Sequence, residues 1–94
     1  MKNVSYDQAI NLVNEYGAKL IDVQLENDYY RSHLYGSINI PVENIADEIA
    51  NVTNSIDEVL VVYCLKGIRS VAACDILTRL GFINVYNIQG GIEY

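Results

Sequence analysis

Residues 59–63 read Val-Leu-Val-Val-Tyr, an unbroken apolar run rich in β-branched side chains. The run does not alternate, so it suits a strand covered on both faces rather than one half open to water. A strand buried on both faces needs helices above and below it. The remaining segments supply them. Ser5 followed by Gln8 fits a capping box, and Ala9, Ile10, Leu12, Val13 and Tyr16 form a helical apolar stripe ended by Gly17. Residues 19–23 are a short strand with Asp22 near its end, and residues 25–34 are a polar, short helix. Residues 37–40 give another brief strand, stopped by Pro41, and Ile45, Ala46, Ile49 and Ala50 repeat at helical spacing within 42–52. A helix over 70–80 presents Ala73, Ile76, Leu77 and Leu80 on one face, Gly81 ends it, and residues 84–88 are the last strand.

Strands alternating with helices of about ten residues predict right-handed crossovers and a parallel sheet, an α/β fold. No repeat, linker or low-complexity tract divides residues 1–94, so one domain is expected. In such sheets ligands bind beyond the carboxyl ends of the strands. Cys64 stands at one of those ends.

Composition narrows the function classes. The net charge is −6, and the six cations Lys2, Lys19, Arg31, Lys66, Arg69 and Arg79 form no basic stripe. Nucleic acid and anionic membrane are therefore not expected partners. No apolar run is long enough to span a bilayer, and the first residues show no secretory signal. Cys64 and Cys74 are the only cysteines, placed on a strand end and well along a helix, so a disulfide is not expected. One His and no Cys-x-x-Cys pair leave no zinc site, and no metal or cofactor is predicted. Two free thiols point to a reducing compartment, read here as cytoplasmic.

The sequence Cys64-Leu65-Lys66-Gly67-Ile68-Arg69-Ser70 concentrates the chemistry. It sets a thiol at a strand end, in the positive field of a helix N-terminus, beside two fixed cations. Such surroundings favour the thiolate and make it a nucleophile. Gly67 permits positive φ, so successive N–H groups can turn inward as an anion nest. Lys66 and Arg69 would steer an anionic donor. Ser70 would cap the helix or turn its hydroxyl toward the thiol. Cys64 to Arg69 is Cys-x4-Arg, one residue shorter than the Cys-x5-Arg cradle that surrounds a tetrahedral phosphoryl group. The smaller ring suits a single terminal sulfur, which favours sulfur transfer over dephosphorylation.

The loop resembles the active-site loop of the rhodanese-like sulfurtransferases, and the likeness extends along the chain in order. Leu20-Ile-Asp-Val23 resembles the family's strand ending in Asp-Val-Arg. Ser32-His-Leu-Tyr-Gly-Ser-Ile-Asn-Ile-Pro41 resembles its Gly-His-Ile-x-Gly-Ala-x-Asn-Ile-Pro segment. Leu80-Gly-Phe-Ile-Asn-Val-Tyr86 and Gln89-Gly-Gly91 resemble its last strand and glycine pair. The resemblance implies a single rhodanese-like domain, a parallel five-stranded sheet with helices on both faces. It implies a two-step transfer through a Cys64 persulfide, from a donor such as thiosulfate to cyanide or a thiol. A protein sulfur donor or acceptor is a further possible partner, which would make the chain a persulfide carrier. A phosphatase or arsenate reductase on the same fold is a third alternative, and a non-catalytic interaction module, against which the presence of Cys64 speaks, is a fourth.

Some positions depart from the family pattern. Gln24 replaces the usual Arg, removing a cation near the site and weakening the case for thiosulfate. Ser32 and Leu34 replace Gly and Ile around His33. At the chain end, either Tyr94 stands for the family's Trp or that tail is missing. His33 is expected to be structural, bonding backbone between the second helix and the Ile38 strand. Asp22 is expected to support the Cys64 loop through backbone N–H groups. Cys74 is read as packing rather than as a resolving thiol. Tyr29, Tyr30 and Tyr35 either rim the site or cover the core.

Overall fold

The computed structural model describes residues 1–93. Strand β1 (Lys2–Val4) leads into helix α1 (Tyr6–Tyr16), then β2 (Lys19–Asp22), α2 (Glu26–Arg31) and β3 (Ile38–Asn39). A 3-10 turn at Val42–Asn44, helix α3 (Ile45–Glu48) and a second 3-10 turn at Ile49–Asn51 follow. The chain ends with β4 (Leu60–Tyr63), α4 (Ile68–Arg79) and β5 (Val85–Ile88). The five strands pair in the order β1-β5-β4-β2-β3, all parallel. The expected α/β architecture is the one observed.

Local chemistry explains the boundaries. Ser5 Oγ accepts from the Gln8 N–H, and Gln8 returns the bond to the Ser5 N–H, so the capping box that opens α1 is complete. Gly17 closes the helix at φ 64°, a left-handed turn that glycine takes without steric cost. Residues 42–52, expected as one helix, are helical only in single turns, a 3-10 turn, the four-residue α3 and a second 3-10 turn. Strand β1 has no strong apolar pattern of its own, so its sequence does not announce it. It forms as an edge strand by pairing Lys2 to Val4 with Tyr86 to Ile88.

Strand β4 lies at the centre, and all four of its residues are buried. Leu60 and Val62 face α3 and α4 with Ile21, Val23, Ile45, Ile49, Ala73 and Leu77. Val61 and Tyr63 face α1 with Ala9, Leu20 and Ile88. Each face of the sheet thus owns one apolar layer, as the unalternating sequence of this strand requires. From β2 the chain moves outward to β3, whereas from β4 it moves the other way to β5. The loops after β2 and β4 therefore diverge and open a crevice at the carboxyl edge.

Tyr63 fixes this edge from below. Its hydroxyl donates to Ser37 Oγ at 3.0 Å and accepts from the Leu34 N–H at 2.9 Å. Burial pushes its pKa far above the ordinary phenol value, so the hydroxyl stays neutral. Replacing Tyr63 by Phe keeps the ring and strips both bonds, leaving the Leu34 N–H without its partner. We expect a loss of about 1–3 kcal/mol in urea unfolding. Unchanged stability would show that water replaces the hydroxyl at no cost.

Candidate active site

The turn after β4 rests on Gly67, Gly90 and Gly91, all at positive φ. Gly67 has φ 84° and immediately precedes α4. A Cβ on Gly67 would lie 3.1 Å from the Gly90 backbone. A Cβ on Gly91 would overlap the Leu65 carbonyl, and Gly91 itself needs φ 73°. With side chains absent, the two backbones meet directly. Leu65 O accepts from the Ile92 N–H at 3.0 Å and the Glu93 N–H at 2.8 Å, and the Ile92 N–H also reaches Cys64 O at 3.2 Å. The sequence resemblance singled out this glycine pair, and the packing supplies its physical reason. Tyr94, the proposed terminal aromatic, lies outside the described residues.

Within the turn, the Cys64 side chain points into the ring of backbone donors. Sγ accepts from the Gly67 N–H at 3.1 Å and from the Ser70 N–H at 3.3 Å. Ser70 Oγ lies 3.5 Å from Sγ. A thiol donates to that hydroxyl, and a thiolate reverses the bond and accepts from it. The first turn of α4 adds its partial positive charge from the same side. Cys64 is only 2% exposed and lines a single described pocket, through which attack would come. Anion stabilisation here uses fixed dipoles that need no rearrangement when charge develops.

Ser70 departs from one of its two expected roles. Helix α4 starts at Ile68, two residues earlier than predicted, and Gly67 occupies the cap position. Ser70 is thus the third helical residue, fully buried against Cys64. The polar Lys66-Gly67 pair hides this early start from a reading based on apolar spacing.

The opening is a pocket of about 310 Å³ lined by Gln24, Asp28, Cys64, Leu65, Lys66, Ile68 and Arg69. Its walls are the two diverging loops, one after β2 and one after β4. Asp22 serves the first of these, not the second. Its buried carboxylate accepts from the Gln24 N–H and the Gln24 side-chain amide, each at 2.8 Å. The expectation that Asp22 holds the Cys64 loop is therefore corrected. A carboxylate two residues from Gln24 closes this local turn before it can reach across the crevice. Gln24 also donates to Ser32 O at 3.1 Å, so both amide hydrogens are committed inside the fold.

Arg69 is likewise committed. Its Nη2 pairs with Glu43 Oε1 at 2.5 Å, and its Nε donates to Val23 O at 3.3 Å. Lys66 is exposed and makes no ion pair among the described residues. The two loop cations, equivalent in the sequence, are thus unequal in space. Glu43 could not be found by motif, because it meets Arg69 from 26 residues away.

His33 lies outside the pocket lining. Its Nδ1–H donates to Tyr29 O at 2.8 Å, and its ring stacks on Tyr29 at 3.9 Å. It thereby closes the end of α2, rather than bridging to β3. Tyr29 Oη makes that bridge by donating to Ser37 O. Neither Tyr30 nor Tyr35 lines the Cys64 pocket; both are exposed on the surface. Among the described residues no cluster of His, Cys, Asp or Glu could hold a metal. None of their helices is long and apolar enough to cross a membrane.

A family model for the rhodanese-like domain matches residues 5–94. The chain belongs to that family. A thiosulfate sulfurtransferase GlpE from Shewanella oneidensis is 31% identical over 92 residues, covering 98% of this chain and 89% of its own length. The protein of the same description from Pseudomonas savastanoi pv. phaseolicola is 35% identical over 92 residues, covering 98% and 84%. Among solved structures, the human single-domain sulfurtransferase TSTD1 shares the fold with a TM-score of 0.83 at 21% identity, over 100% of this chain and 92% of that one. A rhodanese with anions from E. coli gives a TM-score of 0.76 at 31% identity, over 82% and 91%.

Cys74 contrasts with Cys64. It is free and fully buried in the layer under α4, and burial pushes its thiol up to about 12 from an ordinary 9.0. A neutral, enclosed thiol does not attack a persulfide. Between about pH 9 and 12 the unfolded chain gives up this proton while the folded chain retains it, so stability falls as pH rises. The loss is roughly 1 kcal/mol per pH unit while that window lasts. Urea unfolding at pH 8 and 10 should show a steeper decline in the parent protein than in Cys74→Ala. Equal declines would mean that Cys74 titrates alike in both states.

Proposed function

We propose that this protein moves a sulfane sulfur from a donor such as thiosulfate to a thiol or cyanide acceptor through a persulfide on Cys64. Sulfurtransferase activity is supported by relatives that carry that description and match nearly the whole chain. The observation that carries the mechanism is the position of Cys64 Sγ. It sits at the floor of the pocket and accepts two backbone N–H bonds from the turn into α4.

In the first step the Cys64 thiolate attacks the outer sulfur of thiosulfate. A new S–S bond forms, the donor's S–S bond breaks, and its electron pair departs with sulfite. The persulfide anion keeps the single negative charge within reach of the Gly67 and Ser70 N–H groups and the Ser70 hydroxyl. In the second step the acceptor takes the outer sulfur, giving thiocyanate from cyanide or a persulfide from a thiol, and the Cys64 thiolate is restored. No general base is needed, because the nucleophile enters and leaves each cycle as an anion. Gln24, Leu65, Lys66, Ile68 and Arg69 shape the approach, Gly67 sets the turn, and Asp22 holds Gln24 in the wall.

The six-residue span from Cys64 to Arg69 supports this reading over phosphate chemistry. Two free thiols support a reducing, cytoplasmic setting. A persulfide carrier for a partner protein uses the same first step and differs only in what accepts the sulfur.

Treatment with thiosulfate should add about 32 Da to the protein, mapped to Cys64 by peptide mass spectrometry. Cys64→Ser should lose both the adduct and thiocyanate formation, while Cys74→Ser retains them. Thiocyanate formation by Cys64→Ser at the parent rate would overturn the mechanism. Fast cyanide turnover favours the enzyme. Slow turnover with rapid loading from a protein persulfide favours the carrier.

A further inference from the structure

The two loop cations do not face the pocket equally, and the difference has a structural origin. Glu43 lies in the 3-10 turn at Val42–Asn44, which is tied down at both ends. The Val42 N–H donates to Val23 O at 3.3 Å, and the Asn44 N–H donates to Pro41 O at 2.8 Å. From this fixed turn Glu43 takes Arg69 Nη2, and Val23 O takes Arg69 Nε. Of three positions that could have presented donors to an anion, two are thus changed in character. Gln24 spends both amide hydrogens on Asp22 and Ser32, Arg69 is held by Glu43 in a partly exposed bridge, and Lys66 alone remains unpaired among the described cations of the lining.

Asp28 adds a carboxylate to the rim. Its partner Arg31 is 3.8 Å away, and both side chains are at least half exposed, so that pair screens little of its charge. The lining itself holds two cations, Lys66 and Arg69, and one acid, Asp28; Glu43, pairing with Arg69 from outside the lining, offsets the remaining positive charge. A dianion gains little in such a field. The apolar part of the lining points to a different donor. Ile68 is 76% exposed at the first position of α4, with Leu65 beside it, and neither the core nor the sheet requires Ile68 there. An exposed apolar side chain on the wall of a nucleophile's pocket fits the organic group of an incoming substrate.

We propose that Glu43, by holding Arg69, sets donor choice toward persulfides of small apolar thiols and against thiosulfate. The proposal rests on the sulfur-transfer reading above and names its donor class. The Cys64 thiolate attacks the terminal sulfur of R–S–SH, forming Cys64–S–SH. The donor's S–S bond breaks, and its electron pair leaves with the thiolate R–S⁻. That leaving group carries one negative charge, which the single unpaired Lys66 suffices to meet, while R packs on Ile68 and Leu65. Glu43 does not line the pocket, so it is a positioning residue acting through Arg69.

The test measures the rate of Cys64 persulfidation by quenched intact-mass spectrometry, with thiosulfate and with benzyl hydropersulfide generated in situ. In the parent protein, benzyl hydropersulfide should load Cys64 faster than thiosulfate at equal concentration. Glu43→Gln and Glu43→Ala each free Arg69. Both should raise the thiosulfate loading efficiency about tenfold, as a lower half-saturation concentration at similar maximal rate, with a stronger dependence on salt. Loading from benzyl hydropersulfide should change less than about twofold in the same variants. Ile68→Ser should slow the benzyl donor selectively. A structural role for Glu43 would instead slow both donors and lower the melting temperature, and that result overturns the proposal. Thiosulfate loading that is unchanged or slower in both Glu43 variants also overturns it, as does a parent protein that prefers thiosulfate. Failure of both donors to load Cys64 in every variant would contradict the sulfur-transfer reading itself, a distinguishable outcome.

Discussion

The bond from the Ile92 and Glu93 N–H groups to the Leu65 carbonyl is the constraint on which the rest of the site depends. It pins the turn after β4 to the last turn of the chain, and the contact is close enough to exclude every side chain at Gly91. With Leu65 O turned outward to these partners, the following N–H groups are free to turn inward around Cys64 Sγ. The donors to Sγ, the Gly67 and Ser70 N–H groups, follow the clamped carbonyl within five residues of chain. The nest for the sulfur and the clamp on Leu65 are therefore two sides of the same stretch of backbone. The buried β4 strand fixes where this turn begins, and Gly67 fixes where α4 starts.

Charge is arranged with similar economy. The backbone supplies the stabilisation at the sulfur, where it is buried and unscreened, and the side chains act only at the rim. Asp22 never meets the nucleophile; it disciplines Gln24. Glu43 stands to Arg69 as Asp22 stands to Gln24, each acid occupying a donor of the pocket wall. The result is a strongly polarised floor beneath a nearly neutral opening. Chemistry at the floor can be common to many donors, while the opening selects among them.

Much of this was legible in the sequence, for identifiable reasons. The unalternating Val59 to Tyr63 run demanded a central parallel strand, and its end placed Cys64 at the ligand edge. Capping chemistry at Ser5 and Gln8, and glycine at position 17, marked α1 because these signals are local. Strand β1 escaped notice because an edge strand is defined by its partner, here β5, and not by its own pattern. The start of α4 was misplaced for a related reason: a left-handed glycine cap carries no side-chain signature. At the site, residue types revealed which groups could act but not which were already occupied. Lys66 and Arg69 look alike in a loop motif, and only the fold brings Glu43 to one of them. Asp22 was expected to hold the Cys64 loop, and its carboxylate instead holds Gln24 in the neighbouring loop.

The most direct test of the account is a crystal structure of the protein after reaction with a sulfur donor in the absence of acceptor. The account predicts one additional sulfur bonded to Cys64 Sγ at about 2.05 Å. That outer sulfur should lie inside the turn, within hydrogen-bonding distance of the inward N–H groups, with the Leu65 carbonyl still held by Ile92 and Glu93. An added sulfur on Cys74, or a Cys64 persulfide turned out of the ring of N–H groups, would contradict it.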